Sequence, residues 1–210
     1  MPTYEYIWLD SHNNFHGQTL IGDYGSVLDK IPVIELSSDN SFAYHGYNLH
    51  PCYLICDPFT ESGYLVLCSL YNDKKEPHPG NSQHETIAID KYCHDNDIGP
   101  QFTFIQSYYI VERRHTDNCW TNDNLHYGGY GPREKIPDNV DYNAVGYPTI
   151  KLRELFRDHL QKCSKTGLKI TQGAKEAGPS QWSYTLSKLS SCHEAGGQLW
   201  LSRYILQRIA

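Results

Sequence analysis

Five short stretches carry the residue types that do chemistry. In HPCYLIC, His50, Cys52 and Cys56 occupy even-numbered positions, which in a strand share one face. With Cys68 of a following strand opposite, they have the composition of a zinc set. The Cys-x-x-Cys knuckle common in structural zinc sites is absent, so buried structural thiols are the first expectation. GGYGP, residues 128–132, matches neither the P-loop nor the dinucleotide pattern and reads as a flexible loop. CHDND, residues 93–97, lacks calcium-loop spacing and reads as a solvated turn. ERRH, residues 112–115, is a charge cluster at a strand end. In GPSQWSYTLS, residues 178–187, Trp182, Tyr184 and Leu186 alternate with Gln181, Ser183, Thr185 and Ser187. That is a strand with one apolar face and one face of small polar groups. No Gly-x-Ser-x-Gly elbow and no His-Glu-x-x-His motif is present.

The elements around these stretches divide the chain. Residues 1–96 read as β-rich, with strands over 4–10, 51–59 and 63–71 and a helix near 85–93. HDNDIGP, residues 94–100, is the expected linker. Residues 97–210 open with an aromatic, β-branched strand over 101–111, followed by a long polar loop. A helix follows, with Leu152, Leu155, Phe156, Leu160 and Cys163 on one face and Gly167 closing it. LKITQG and the Trp182 strand come next. A final helix carries Leu199, Leu201, Tyr204, Ile205 and Ile209. The expected class is α+β.

Composition excludes some functions. Charged residues are 20% of the 210, and the net charge is −6, so no basic footprint for nucleic acid or an anionic membrane exists. No apolar run approaches the ~18 residues of a spanning helix. The opening MPTYEYIWLD lacks a basic region followed by an apolar run. The expectation is a cytoplasmic or other reducing intracellular compartment, in which the seven cysteines are free thiols.

Taken together and in order, several stretches resemble the glutamine synthetase family in its eukaryotic-type form. YEYIWLD resembles the family's first strand. IPVIELSSDNS falls on its Leu-Pro, Trp-x-Phe-Asp-Gly-Ser-Ser loop. CDPF and YLVLC match its Asp-Pro-Phe and Leu-Val-Leu-Cys strands, and EPHPGNSQH its Pro-x-x-x-Asn-x-Arg-His segment. FIQSYYIV falls on its Gly-Ile-Glu-Gln-Glu-Tyr strand, and GGYGP on its Gly-Gly-Tyr-Pro-Gly-Pro loop. GLKITQGAKEAGPSQWSYTLS falls on the segment ending in Gln-Trp-Glu-Phe-Gln, and AGGQLWLSRYILQRIA on the helix after it. The resemblance implies a β-grasp-like N-terminal domain over 1–96. Over 97–210 it implies a partial catalytic α/β portion with a curved, largely antiparallel sheet.

The resemblance also says what the polar strand face once held. In the family, four glutamates on facing strands bind the Mg²⁺ or Mn²⁺ ions that neutralise ATP phosphates and the developing acyl phosphate. Their positions here are Ile105, Ser107, Glu176 and Ser183, so only Glu176 keeps a carboxylate. The family's ammonium-binding aspartate corresponds to Ser37, and its aromatic residue near the nucleotide to Gln101. Framework residues such as Trp8, Pro58, Gln181, Trp182, Trp200 and Arg203 are kept. The sequence stops at Ala210, before the family's remaining substrate-binding segments.

These departures lead to an expectation of a truncated, catalytically inactive homologue. It would bind neither ATP nor metal, and would serve as a structural or interaction subunit, as a homo-oligomer or within a larger assembly of protein chains. Two alternatives stay open: a residual nucleotide- or amino-acid-binding regulatory module, and an active glutamate–ammonia ligase completed by another chain.

Overall fold

A computed structural model describes residues 1–36, 46–80, 83–113, 125–127, 145, 150–178 and 180–210. The chain begins with a five-stranded mixed sheet. Its strands are β1 (Thr3–Leu9), β2 (Phe15–Ile21), β3 (Ile34–Glu35), β4 (Tyr47–Cys56) and β5 (Gly63–Asn72), in the order β2-β1-β5-β4-β3. β1 and β5 run parallel at the centre, with Tyr4 opposite Tyr64 and Tyr6 opposite Val66. Helix α1 (Gln83–Asp95) follows.

The near-continuous apolar run of β5 follows from its position. Both faces of a central strand are covered, so both alternating sets must be apolar. Leu65 and Leu67 point into one core with Ile7, Cys52 and Ile55. Val66, Cys68 and Leu70 point into a second core with Tyr4, Tyr6, Trp8 and Leu49. The second core is closed by the segment between β2 and β3, with Ile31 buried and Tyr24 packed against it, and by Leu36 just after β3. The Tyr6 hydroxyl donates to the Pro32 carbonyl at 2.8 Å, which ties that segment down.

The later elements are β6 (Phe102–Tyr109), β7 (Val111–Arg113), β8 (Leu125–Tyr127), α2 (Ile150–Lys165), β9 (Ile170–Lys175), β10 (Gln181–Leu189) and α3 (Cys192–Ile209). β7 and β8 form a short antiparallel ribbon. β6, β10 and β9 form a three-stranded antiparallel sheet with β10 in the middle. Its inner face packs on the helices: Trp182 and Leu186 are fully buried, and the Trp182 ring stacks on Phe156 of α2 at 4.5 Å. Gly173 of β9 allows this close approach, since a Cβ there would lie 2.5 Å from Phe156 Cζ and 2.8 Å from Leu160 Cδ1.

The later helices complete the first core, with Ile170 of β9 packed against it. Leu201, Tyr204 and Ile205 of α3, Cys163 of α2 and Leu168 pack directly with Ile7, Leu65 and Leu67. Phe59 is gripped at the edge of this core, with Arg208 over its ring at 4.1 Å and Lys162 at 5.4 Å. Arg208 also lies 3.6 Å from buried Asp57. The strands of the first sheet all precede residue 73, yet its first core takes in residues of α2 and α3.

The amphipathic pattern expected for α2 holds at Phe156 and Cys163, both buried. β2 is absent from the sequence reading. Its residues FHGQTLI are half-buried or exposed, so they lack a buried alternating set. Among the described residues, no helix is long and apolar enough to cross a membrane.

Candidate functional site

The outer face of the three-stranded sheet is where the carboxylates would stand. β6 alternates between half-buried and exposed residues. Ile105, Ser107 and Tyr109 form its outward set, with Ile105 71% exposed and Tyr109 52%. Ser107 lies directly opposite Ser183 of β10, and Ile105 opposite Thr185. On the other side of β10, Ser183 pairs with Ala174 and Thr185 with Gln172. Three of the four positions singled out from the sequence therefore share one face of two paired strands.

Glu176 joins them from the turn after β9. The Ser183 hydroxyl donates to Glu176 Oε1 at 2.5 Å. The turn is closed by the Glu176 N–H donating to the Gln181 carbonyl at 2.9 Å and the Gln181 N–H donating to the Gly178 carbonyl at 3.2 Å. Ser180 sits in the left-handed region at φ 49°, a conformation that a non-glycine residue adopts only when the turn holds it there. Lys175 stabilises the turn from beneath. It is buried opposite Trp182, and its ammonium donates to the carbonyls of Glu176 and Gly178, the latter at 2.7 Å. Burial pulls the Lys175 ammonium below its usual range, and the Glu176 carboxylate partly opposes that. Sequence reading missed Lys175, because it falls where β9 becomes turn.

This donor set does not fit a divalent ion. Mg²⁺ and Mn²⁺ take oxygen ligands, with carboxylates supplying the charge. Among the described residues, the outer face offers the one carboxylate of Glu176, and one of its oxygens already accepts from a neutral hydroxyl. Ile105 presents an apolar side chain two residues along the strand from Ser107. Among the described residues, no three His, Cys, Asp or Glu side chains gather in a way that could hold a metal.

The other sequence candidates are dispersed. The zinc-type set is not on one face: the β4–β5 register shifts between Pro51 and Tyr53, so strict alternation fails there. Cys52 is buried in the first core, Cys68 in the second, and Cys56 is exposed. The Cys52 thiol donates to the Leu67 carbonyl at 3.1 Å, and burial pushes its pKa up to about 12. Cys52 and Cys68 are buried as expected of structural thiols, whereas Cys56 is exposed. CHDND lies at the end of α1, with Asp97 at φ 53° in the turn. Gln101 is exposed just before β6. Ser37, the GGYGP loop and the ERRH side chains lie outside the described residues.

Two polar clusters were not legible as such. His159 of α2 is fully buried, and its Nε2–H donates to the Ser202 carbonyl at 3.0 Å. Ser202 Oγ donates to the Leu199 carbonyl, so the Tyr184 hydroxyl donates to Ser202 Oγ at 2.7 Å. Burial holds the His159 imidazole down to about pKa 4, against the opposing pull of the Ser202 carbonyl and Asp158. The available signal was its spacing: His159 lies three residues after Phe156 and four before Cys163, on the apolar face. The second cluster is Asp90 of α1, which accepts from the Ser191 hydroxyl and the backbone of Cys192 and His193 at the start of α3.

Comparison with known proteins agrees with this framework. No protein-family model matches the chain. It is 28% identical over 213 residues to the glutamine synthetase of Saccharomyces cerevisiae, covering 98% of this chain and 54% of the relative. The Emericella nidulans glutamine synthetase is 27% identical over 218 residues, 98% of this chain and 56% of the relative. A stretch of 162 residues, 77% of this chain, is 30% identical to 43% of the glutamine synthetase cytosolic isozyme 1-5 of Arabidopsis thaliana. The chain spans about half the length of the curated relatives it matches.

Proposed function

Because the chain is a homologue of the glutamine synthetases along nearly its whole length, we propose that it keeps their sheet framework without their metal-dependent ligase chemistry. Its role is that of a structural or interaction subunit within an assembly of protein chains. One observation carries this reading: among the described residues, the face that would hold the metal presents Ile105, Ser107 and Ser183 around the single carboxylate of Glu176. A hydroxyl adds no charge to offset a divalent ion, and loss of several ligands lowers affinity far more than the 10–100-fold typical of a second-shell change. ATP held through such an ion is lost with it.

The exposed Ile105 and Tyr109 on the same face support an interaction role, since an open sheet face with large apolar groups is normally covered. The net charge of −6 supports protein rather than nucleic acid as the partner. The N-terminal sheet is β-grasp-like in this reading, on its central parallel pair of first and last strands. Residues 97–210 form the partial catalytic portion, and a reducing compartment suits the free thiols.

The test combines native mass spectrometry of the protein from its source with a γ-glutamyl transfer assay using Mn²⁺ on the same preparation. The expected result is a multi-chain particle that transfers nothing above the blank. Transfer that persists in the chain purified alone, or a lone monomer throughout, overturns the proposal.

A further inference from the structure

Two thiols flank the joint between α1 and α3. Asp90 accepts from the Ser191 hydroxyl at 2.6 Å, the Cys192 N–H at 2.6 Å and the His193 N–H at 3.0 Å, which fixes the middle of α1 against the first turn of α3. Residues three apart on a helix share a face, so Cys93 stands one turn beyond Asp90 on the side turned toward α3. Cys93, Asp90, Ser190 and Ser191 line one open cleft of about 400 Å³. Cys192 is half-buried beside it. Burial, then the charges of Asp90 and of Cys93, push the Cys192 thiol up. The other described cysteines differ: Cys52, Cys68 and Cys163 are buried, and Cys56 is exposed on β4.

We propose that Cys93 and Cys192 form a reversible intramolecular disulfide, a redox-modification site that locks α1 to the start of α3. The oxidant is a small disulfide of the glutathione class, admitted through the cleft that Cys93 lines. The Cys93 thiolate attacks one sulfur, forming a mixed disulfide and releasing one glutathione thiolate. Cys192 gives its proton to water and attacks the Cys93 sulfur, and the second glutathione leaves as a thiolate. Two cysteine thiols are oxidised, and one glutathione disulfide is reduced to two thiols. Because Cys192 holds its proton tightly, the second step quickens as pH rises.

The test titrates the fully reduced chain with oxidised glutathione near pH 8. The expected product has lost the mass of two hydrogens and yields one peptide linking Cys93 to Cys192. Cys93→Ser and Cys192→Ser each abolish the linked peptide, while Cys56→Ser leaves it intact. The bond closes a loop of about 100 residues, so the melting temperature rises by about 5–10 °C, reversed by a dithiol. Stable glutathione adducts on Cys93 or Cys192 without the linked peptide overturn the proposal. A linked product that melts no higher than the reduced chain overturns the lock.

Discussion

The Ser183 hydroxyl donates to Glu176 Oε1 at 2.5 Å, bridging the middle strand of the second sheet to the turn that precedes it. A hydrogen bond to a carboxylate is stronger than one between neutral groups, and this one is part-buried. Replacing Ser183 with alanine removes the donor and leaves the carboxylate with one partner fewer. The expected loss is about 1–2 kcal/mol in urea denaturation. A Glu176→Gln variant still accepts the bond and loses less.

Restoring charge to the outer face is the converse experiment. An Ile105→Glu, Ser107→Glu, Ser183→Glu triple variant places three carboxylates beside Glu176 on one sheet face. Calorimetry is expected to show Mn²⁺ binding at millimolar concentrations or tighter in this variant, and none in the parent chain. Equal heats from both proteins would mean that the missing charge is not what separates this face from a metal site.

His159 gives stability a pH dependence with a definite sign. Its folded pKa of about 4 lies below the ordinary 6.5, because burial disfavours the cation. The unfolded chain therefore binds the proton first, and the native state loses stability as pH falls from about 6.5 toward 4. Between pH 7.5 and 5 the loss is about 2 kcal/mol. Denaturant midpoints of the parent and a His159→Gln variant should diverge at neutral pH and converge in acid, after correction for the other groups.

Gly173→Ala tests the tight approach of β9 to α2. The new Cβ meets Phe156, whose ring is already stacked on Trp182 and cannot swing freely. Overpacking of this kind costs about 1–3 kcal/mol. Pairing it with Leu160→Ala, which frees the second clash, should recover only part of the loss in a double-mutant cycle.

Asp90 anchors the first turn of α3. Burial works against its ionisation, but the Ser191 hydroxyl and the His193 and Cys192 N–H groups outweigh it and hold the carboxyl below the usual range. The stability it adds is present at neutral pH and is lost as pH falls through that lowered value. Asp90→Ala is expected to cost about 1–2 kcal/mol at pH 7, and hydrogen exchange should quicken first at residues 192–195.

Much of this was legible from local pattern. The alternation of Trp182, Tyr184 and Leu186 with Ser183 and Thr185 places β10 and assigns its faces without any partner strand in view. The order of short family-like stretches then points to Ile105, Ser107 and Glu176 as neighbours. What stayed hidden depends on contacts distant in sequence. His50, Cys52 and Cys56 read as one face because a bulge at Pro51–Tyr53 leaves no compositional trace. Asp90 carries no local signal of its role, since its three partners lie about 100 residues downstream. Lys175 carries no sequence signal of its role because the carbonyls it satisfies belong to a turn.

The first core also has a consequence for synthesis on the ribosome. Leu65 and Leu67 are covered by Leu201, Tyr204 and Ile205, which emerge more than a hundred residues later. Until then, that side of the first sheet lacks the helix residues that bury it. Its strands can pair early, but they expose aggregation-prone apolar surface for most of translation. The nascent chain therefore depends on being shielded until α3 arrives, and a nonsense change anywhere before residue 200 releases a sheet that lacks the residues closing its first core.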